Sequence, residues 1–164
     1  MSGSERPVKA IETRVYGCRF RSRLEARWAV FLTFAGFRWE YEPEGVELTA
    51  GRYLPDFRVT RNDVTIWLEI KPMTERADDP RHAELARRSG QLMFVVQGLH
   101  RPGDDCQVDH AARVFHPDGS VMDVRRLWQA DTYKDAWRRA NTARFDGTDE
   151  PGFFGPPQPK RRRR

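Results

Sequence analysis

Two short stretches decide the fold of this chain: Tyr53–Phe57, with the sequence YLPDF, and Trp67–Lys71, with the sequence WLEIK. We interpret them as parts of two strands of a hairpin whose turn lies at Asn62-Asp63, so that Arg61 pairs with Val64. Directly opposed residues on neighbouring strands share a face of the sheet, with Cβ atoms about 5 Å apart. One pairing at the turn therefore fixes the partner of every other residue along the hairpin.

In this register Asp56 lies directly opposite Glu69, and the alternation of side chains along a strand adds Lys71 to the face that carries Glu69. Two opposed carboxylates repel each other and destabilise a sheet. A divalent cation between them would remove that repulsion, and an ammonium beside the cation can hold or activate a water molecule. These are the parts of a metal-dependent phosphodiesterase.

The pattern Pro55-Asp56, a spacer and then Glu69-Ile70-Lys71 resembles the PD-(D/E)XK nuclease superfamily. Members of this superfamily include type II restriction enzymes, Holliday-junction resolvases and transposon-end nucleases. The resemblance implies that Asp56 and Glu69 bind Mg²⁺ or Mn²⁺ and that Ile70 offers its backbone carbonyl to the metal. It also implies that Lys71 positions the attacking water. A solvated strand face with a Glu–Lys pair, or a member of the fold that does not cut, remains the alternative.

Glu25 has two competing interpretations. Many members of the superfamily add an acidic residue on the first helix, and the resemblance, which covers roughly residues 19–97, places Glu25 there as a further catalytic residue and metal ligand. Ser22 and Glu25 also form a capping-box pattern, in which the glutamate satisfies a backbone N–H at the helix start. Glu42, near the end of the next strand, is an additional candidate for the metal site, although a solvated carboxylate is the alternative.

Periodicity, caps and turn signals predict an α/β fold with a mixed central sheet. The expected order is that of a restriction-endonuclease-like core, helix–three strands–helix–strand, followed by a C-terminal hairpin and helix. A loop that contains Gly45 and Gly51 is expected between the first of the three strands and the hairpin. The predicted elements are a helix over Ser22–Ala35, a strand over Arg38–Tyr41, the two hairpin strands, a helix from Asp79-Pro80 to about Ser89, a strand over Leu92–Val96 parallel to the Glu69 strand, a hairpin over Val114–Val124 and a helix from about Thr132 to Phe145.

The length of 164 residues suits one domain with a real core. We expect a flexible lead over residues 1–14, a single nuclease-like domain over residues 15–145 and a disordered Pro-rich basic tail over residues 146–164. No apolar run of about 18 residues is present, so no membrane-spanning segment is expected. Two cysteines are too few for a disulfide scaffold, and a cytoplasmic protein, nucleoid-associated or encoded by a phage or mobile element, is the expectation.

The net charge of +5 comes from the tail. Five of the 29 basic residues are Lys160, Arg161, Arg162, Arg163 and Arg164, which leaves 24 basic residues against 24 acidic ones in the rest of the chain. A DNA-binding surface in the folded part therefore requires segregated charges, and the local cluster of Arg19, Arg21, Arg23 and Arg27 is the candidate, with the first three as the predicted DNA-binding residues. Basic ends of this kind usually bind polyanions without sequence preference, which favours a nucleic-acid tether for the tail; a nuclear-import-like signal or a compositional accident is the alternative.

The sequence thus favours a metal-dependent endonuclease that hydrolyses DNA, acting as a homodimer or with a partner protein. The alternative is a non-catalytic nucleic-acid-binding or partner-docking module of the same fold. The structure of DNA that is recognised, and RNA as a substrate, remain open.

Overall fold

The computed structural model describes residues 11–99, 111–124, 128 and 131–145. In these residues the elements are, in chain order, β1 (Thr13–Val15), β2 (Cys18–Phe20), α1 (Arg23–Phe34), β3 (Arg38–Tyr41), β4 (Val46–Leu48), β5 (Gly51–Tyr53), β6 (Phe57–Arg61), β7 (Val64–Lys71), α2 (Pro80–Ser89), β8 (Met93–Gln97), β9 (Ala111–Phe115), β10 (Val121–Val124), a 3₁₀ turn (Asp131–Tyr133) and α3 (Lys134–Thr142). The predicted lead over residues 1–10 and the tail over residues 146–164 lie outside the described residues.

The fold is mixed α/β. Six strands form one sheet in the order β10-β9-β8-β7-β6-β3, and two further hairpins, β1-β2 and β4-β5, stand apart from it. The β7-β8 pair is parallel and the other pairs of the main sheet are antiparallel, so the sheet is mixed as predicted.

The hairpin register is confirmed. Arg61 pairs with Val64 and Phe57 with Leu68. Asn62 and Asp63 both have positive φ angles, 47° and 64°, which is the backbone of a type I′ turn and matches the right-handed twist of the strands it joins.

The sheet separates two apolar clusters because alternate residues of β7 and β8 point to opposite faces. On one face, Leu68 and Val96 pack with Trp28 of α1 and with Trp137 of α3. On the other face, Trp67, Met93 and Val95 pack with Leu85 of α2. The second face also carries Glu69 and Lys71, by the same alternation.

Capping signals located the two long helices well. Ser22 caps α1 by accepting the backbone N–H of Glu25 at 3.1 Å, and Asp79 caps α2 by accepting the backbone N–H of Arg81 at 2.9 Å. Gly90 ends α2 in the left-handed conformation at φ 68°, as the sequence indicated.

Three expectations need correction. The predicted loop after β3 contains the β4-β5 hairpin, because Leu48 and Tyr53 bury their side chains beside α2. The C-terminal helix is shorter than predicted and ends at Thr142, where Ala143 turns to an extended conformation. Strand β1 starts at Thr13, inside the segment expected to be a flexible lead, and pairs with β2.

In the part of the chain that the structure describes, no helix is long and apolar enough to cross a membrane.

Candidate functional site

Asp56 lies one residue before β6 and is 4% exposed. Its Oδ2 accepts the backbone N–H of Ile70 at 2.8 Å, and its Oδ1 accepts Nη2 of Arg21 at 3.1 Å. The first of these bonds holds the carboxylate against β7, the strand that carries Glu69. Extending the hairpin register by one residue sets Asp56 opposite Glu69, as the sequence predicted.

The charge of Asp56 is poorly compensated. Burial raises the pKa of this carboxyl well above its ordinary value, and the neighbouring charges of Glu69 and Glu25 raise it further. The Ile70 N–H and the Arg21 guanidinium act in the opposite direction but do not cancel the rise. The ionised form is therefore costly in the absence of an added cation.

Glu69 sits in the middle of the buried part of β7 and is 7% exposed. Its Oε1 lies 2.8 Å from Nζ of Lys71, and its Oε2 accepts the hydroxyl of Tyr53 at 2.8 Å. Burial alone would lower the pKa of Lys71, but the hydrogen bond and charge of Glu69, with the charge of Asp56, raise it overall. Lys71 is thus an ammonium at neutral pH, held by Glu69 and 4.0 Å from a carboxylate oxygen of Glu75.

Glu25 serves the helix cap and also faces the acidic cluster. Its Oε1 accepts the Ser22 hydroxyl at 2.8 Å, and its Oε2 accepts the Tyr41 hydroxyl at 2.6 Å. The capping interaction uses the Ser22 hydroxyl in place of the backbone N–H of a standard capping box. The side chain is 8% exposed, and its charge reaches Asp56 strongly enough to raise that pKa.

Arg21 bridges two carboxylates. Its Nε lies 2.9 Å from Oε1 of Glu42, and its Nη2 lies 3.1 Å from Oδ1 of Asp56. Glu42 adopts a positive φ of 45°, a strained conformation for a non-glycine residue, while its backbone N–H donates to the carbonyl of Asp56 at 2.8 Å. Glu42 therefore belongs to the acidic cluster, and Arg21, predicted to contact DNA, supplies a counter-charge to it.

The other predicted DNA-binding residues lie apart from this cluster. Arg19 is largely exposed on β2 and forms an ion pair with Glu12. Arg23 is exposed on the first turn of α1. The predicted tail residues, Lys160 to Arg164, are outside the described residues.

The sequence did not predict that Tyr53 contacts Glu69 or that Arg81 and His82 pack around Tyr53. Tyr53 at the end of β5 donates to Glu69, and burial, together with the charge of Glu69, raises the pKa of its hydroxyl. The Arg81 guanidinium stacks over the Tyr53 ring at 4.9 Å, and the His82 ring lies 5.9 Å from it. His82 is 1% exposed, and burial lowers its pKa. Only the unpredicted β4-β5 hairpin brings Tyr53 here, so no local pattern could have found it.

The donor set suits a magnesium-like ion. Among residues 11–99, 111–124, 128 and 131–145, no group of three or more His, Cys, Asp or Glu side chains is arranged to hold a metal. Mg²⁺ typically binds through one or two carboxylates and keeps several waters. Asp56 and Glu69 supply that number, and each of their oxygens has one protein hydrogen bond of the roughly two that it can accept. Ile70 contacts the cluster through its N–H, while its side chain packs in the core.

Comparisons of the chain with protein-family models, with curated proteins and with solved structures find no match.

Proposed function

We propose that this chain is a metal-dependent endonuclease that hydrolyses phosphodiester bonds in DNA. One observation carries the proposal: Asp56 and Glu69, both buried, oppose each other across the β6-β7 hairpin with Lys71 in contact with Glu69. Such a pair is unfavourable for a sheet, and burial together with the charges of Glu69 and Glu25 raises the pKa of Asp56 in spite of the nearby Arg21.

Asp56 and Glu69 would hold Mg²⁺ or Mn²⁺ at this point. When bound, the metal polarises the scissile phosphate and lowers the pKa of a water molecule. Lys71 orients the attacking water and offsets the negative charge that develops on the phosphate, since its Nζ is fixed 2.8 Å from Glu69. Tyr53 and the Ile70 N–H hold the two carboxylates in place. Glu25 would hold a second metal ion or a metal-bound water.

The arrangement of elements supports the superfamily resemblance. Helix α1, the strands β3, β6 and β7, helix α2 and strand β8 follow one another in the order that a restriction-endonuclease-like core requires, with the β4-β5 hairpin inserted. The motif residues fall at the start of β6 and the end of β7, beside the parallel strand β8.

The substrate assignment rests on charge. The acidic cluster repels phosphate oxygens and would bind a phosphate only through a cation. Contacts to the rest of the DNA must therefore come from the arginines around the cluster and from the basic tail. Cutting both strands of a duplex requires two active sites, and a homodimer or a partner protein would supply the second.

A non-catalytic module of the same fold is the second candidate. The observation that favours it is the Arg21 bridge, because a guanidinium already bound to Asp56 and Glu42 partly replaces the cation. Arg21 is 60% exposed in its side chain, however, so it can leave at little cost when a metal arrives.

The test is cleavage of labelled branched, nicked, single-stranded and duplex DNA with Mg²⁺, Mn²⁺ or EDTA. We expect cutting with either metal and none in EDTA. Glu69→Gln should abolish cutting, whereas Glu47→Gln, a matched change on the exposed face of β4, should not. Equal cutting by wild type and Glu69→Gln would refute the proposal, and metal-independent binding of DNA without cutting would favour the non-catalytic module.

A further inference from the structure

A cavity of about 680 Å³ opens near the C-terminal ends of β7 and β8. Its lining residues come from three parts of the chain: α1, the segments that follow β7 and β8, and the C-terminal end of α3. They are Arg23, Leu24, Arg27, Met73, Gly98, Leu99 and Asn141. The volume falls within the range of about 300–1,000 Å³ that is typical of ligand pockets.

The cavity adjoins the candidate catalytic residues on the Lys71 side. Met73 follows Lys71 by two residues, and the backbone N–H of Gly98 donates to the Lys71 carbonyl at 2.9 Å. Leu24 directly precedes Glu25 on the first turn of α1. Lys71 and Glu25 thus each lie within two residues of the cavity lining, so a nucleotide next to a phosphodiester at the acidic cluster is the natural candidate occupant.

The charge of the lining is complementary to a nucleotide. Arg23 and Arg27 contribute two guanidinium groups, and no carboxylate occurs among the lining residues that the structure describes. A second cavity, near Asp78, has a different character, because its Arg113 is paired with Asp78 and Asp123. The cavity beside Lys71 is thus the one that suits an anion.

The positive charge of Arg23 does not stabilise helix α1. It occupies the first turn of α1, where the helix dipole disfavours a positive charge, and its side chain is exposed. Arg27 is different, because its Nη1 donates to the carbonyl of Ala140 at 2.7 Å and also to that of Asn141. Arg27 fixes the cavity wall, and Arg23 offers its guanidinium at the rim.

The apolar part of the lining suits a base. Leu24, Met73 and Leu99 give a surface on which a planar base can pack, and the flexible thioether of Met73 can adapt to different bases. Met73 is 48% exposed, so its side chain is accessible to a ligand.

We propose that this cavity binds a single DNA nucleotide displaced from the base stack, next to the phosphate that is cleaved. This inference rests on the proposed function and deepens it, because it predicts that the enzyme acts on unpaired or branched DNA in preference to continuous duplex. Nucleotides that are already unpaired would bind best, since no unstacking energy is then required.

The test uses a short single strand that carries 2-aminopurine, whose fluorescence rises when the base leaves its stacked neighbours. The protein is the Asp56→Asn variant, so that binding is measured without cutting. We expect a fluorescence rise on binding. Adding Arg23→Gln or Met73→Ala should reduce the rise and weaken binding by about fivefold, the low end for the loss of one base contact. The matched controls Arg87→Gln and Met122→Ala, also at exposed positions, should change neither.

Cleavage gives the second readout. Wild type should have a higher kcat/KM on a flapped duplex than on a fully paired duplex of the same sequence, and Arg23→Gln and Met73→Ala should reduce that ratio toward one. A fluorescence response that is absent, or unchanged in both variants, would overturn the cavity proposal, even if all DNA substrates are cut. A response lost in both variants, without cutting by wild type, would retain the cavity and reject the nuclease. Dimer dissociation caused by either variant would mean that a second copy of the chain occupies the cavity, which also overturns the proposal.

Discussion

Replacing Asp56 by Asn should make the metal-free protein more stable. The change removes the charge that Glu69 and Glu25 repel but keeps an oxygen that can accept the Ile70 N–H. Alanine would be a poorer choice, because it leaves a buried N–H without a partner at a cost of about 1–3 kcal/mol.

Burial is the largest cause of the raised pKa of Asp56, and its relief in Asp56→Asn adds to the three contributions that follow. For unit charges about 5 Å apart, the Cβ separation of opposed residues, an effective dielectric constant of 20 gives a repulsion of about 3 kcal/mol between Asp56 and Glu69. The lost ion pair with the 60% exposed Arg21 costs at most about 1 kcal/mol, since solvent screens it. Replacing a charged acceptor for the Ile70 N–H by a neutral one costs about 1 kcal/mol. The net gain from these three contributions is about 1 kcal/mol, or 2–4 °C in Tm for a chain of this size.

The gain should depend on pH in a defined direction. The folded-state pKa of Asp56 is raised, so between the ordinary carboxyl pKa and this raised value the folded protein keeps a proton that the unfolded chain has released. Wild type therefore loses stability as pH rises through that window. Asp56→Asn should melt close to wild type below the ordinary pKa and above it at neutral pH.

Thermal melting in EDTA and in Mn²⁺ provides the assay. At a metal concentration of 100 Kd, wild type should gain about 2.7 kcal/mol, whereas Asp56→Asn should gain much less, so the order of the two melting temperatures reverses. Asp63→Asn, in the exposed hairpin turn, is the control that should leave both values unchanged. A lower Tm for Asp56→Asn in EDTA at neutral pH, or an equal Mn²⁺ shift in both proteins, would refute the electrostatic argument.

Three other predictions follow from the same site and from the tail. Lys71→Ala should lower the cleavage rate far more than Mn²⁺ affinity, and Lys71→Arg should not restore the rate, because a planar guanidinium cannot replace a compact ammonium. Calorimetric titration measures Mn²⁺ affinity and cleavage assays measure the rate. Near wild-type cutting by Lys71→Arg would show that Lys71 contributes only its charge. Glu25→Gln should fold, since Gln still serves a cap, but lose cleavage; a stable and active variant would assign Glu25 to capping alone. Deleting Lys160 to Arg164 should reduce the log–log salt slope of DNA binding, by up to about 4.5 if all five charges contact phosphates, while the cleavage rate at saturating DNA and low salt stays the same; an unchanged slope would show that the tail does not contact DNA.

Local rules predicted the parts of the fold that local chemistry determines. Alternation and the Asn62-Asp63 turn fixed the hairpin register, and with it the opposition of Asp56 and Glu69. The cap at Asp79 and the stop at Gly90 fixed α2 to the residue. Each of these signals acts over a few neighbours in sequence, so a single chain is enough to interpret it.

The remaining features of the site depend on contacts between distant residues. Arg21 reaches Asp56 across 35 positions and was predicted to bind DNA, because sequence proximity grouped it with Arg19 and Arg23. Those three arginines have three different environments in the structure: an ion pair with Glu12, a bridge between two carboxylates and the rim of a cavity. Only tertiary packing distinguishes them, so their roles could not be assigned from the sequence.

Two energetically unfavourable features occur in the same cluster of residues, and together they are the strongest argument for function. A sheet is destabilised by opposed carboxylates at Asp56 and Glu69, and a backbone is strained by the positive φ of Glu42. The two residues are joined by a hydrogen bond from the Glu42 N–H to the Asp56 carbonyl, so the strained residue positions the one that Glu69 repels. A sequence under selection for stability alone would remove both, because apolar or neutral residues are available for either position. The proposed metal ion would explain why both features are present. The Asp56→Asn melting experiment measures how much the Asp56 charge lowers the free energy of unfolding when no metal is bound.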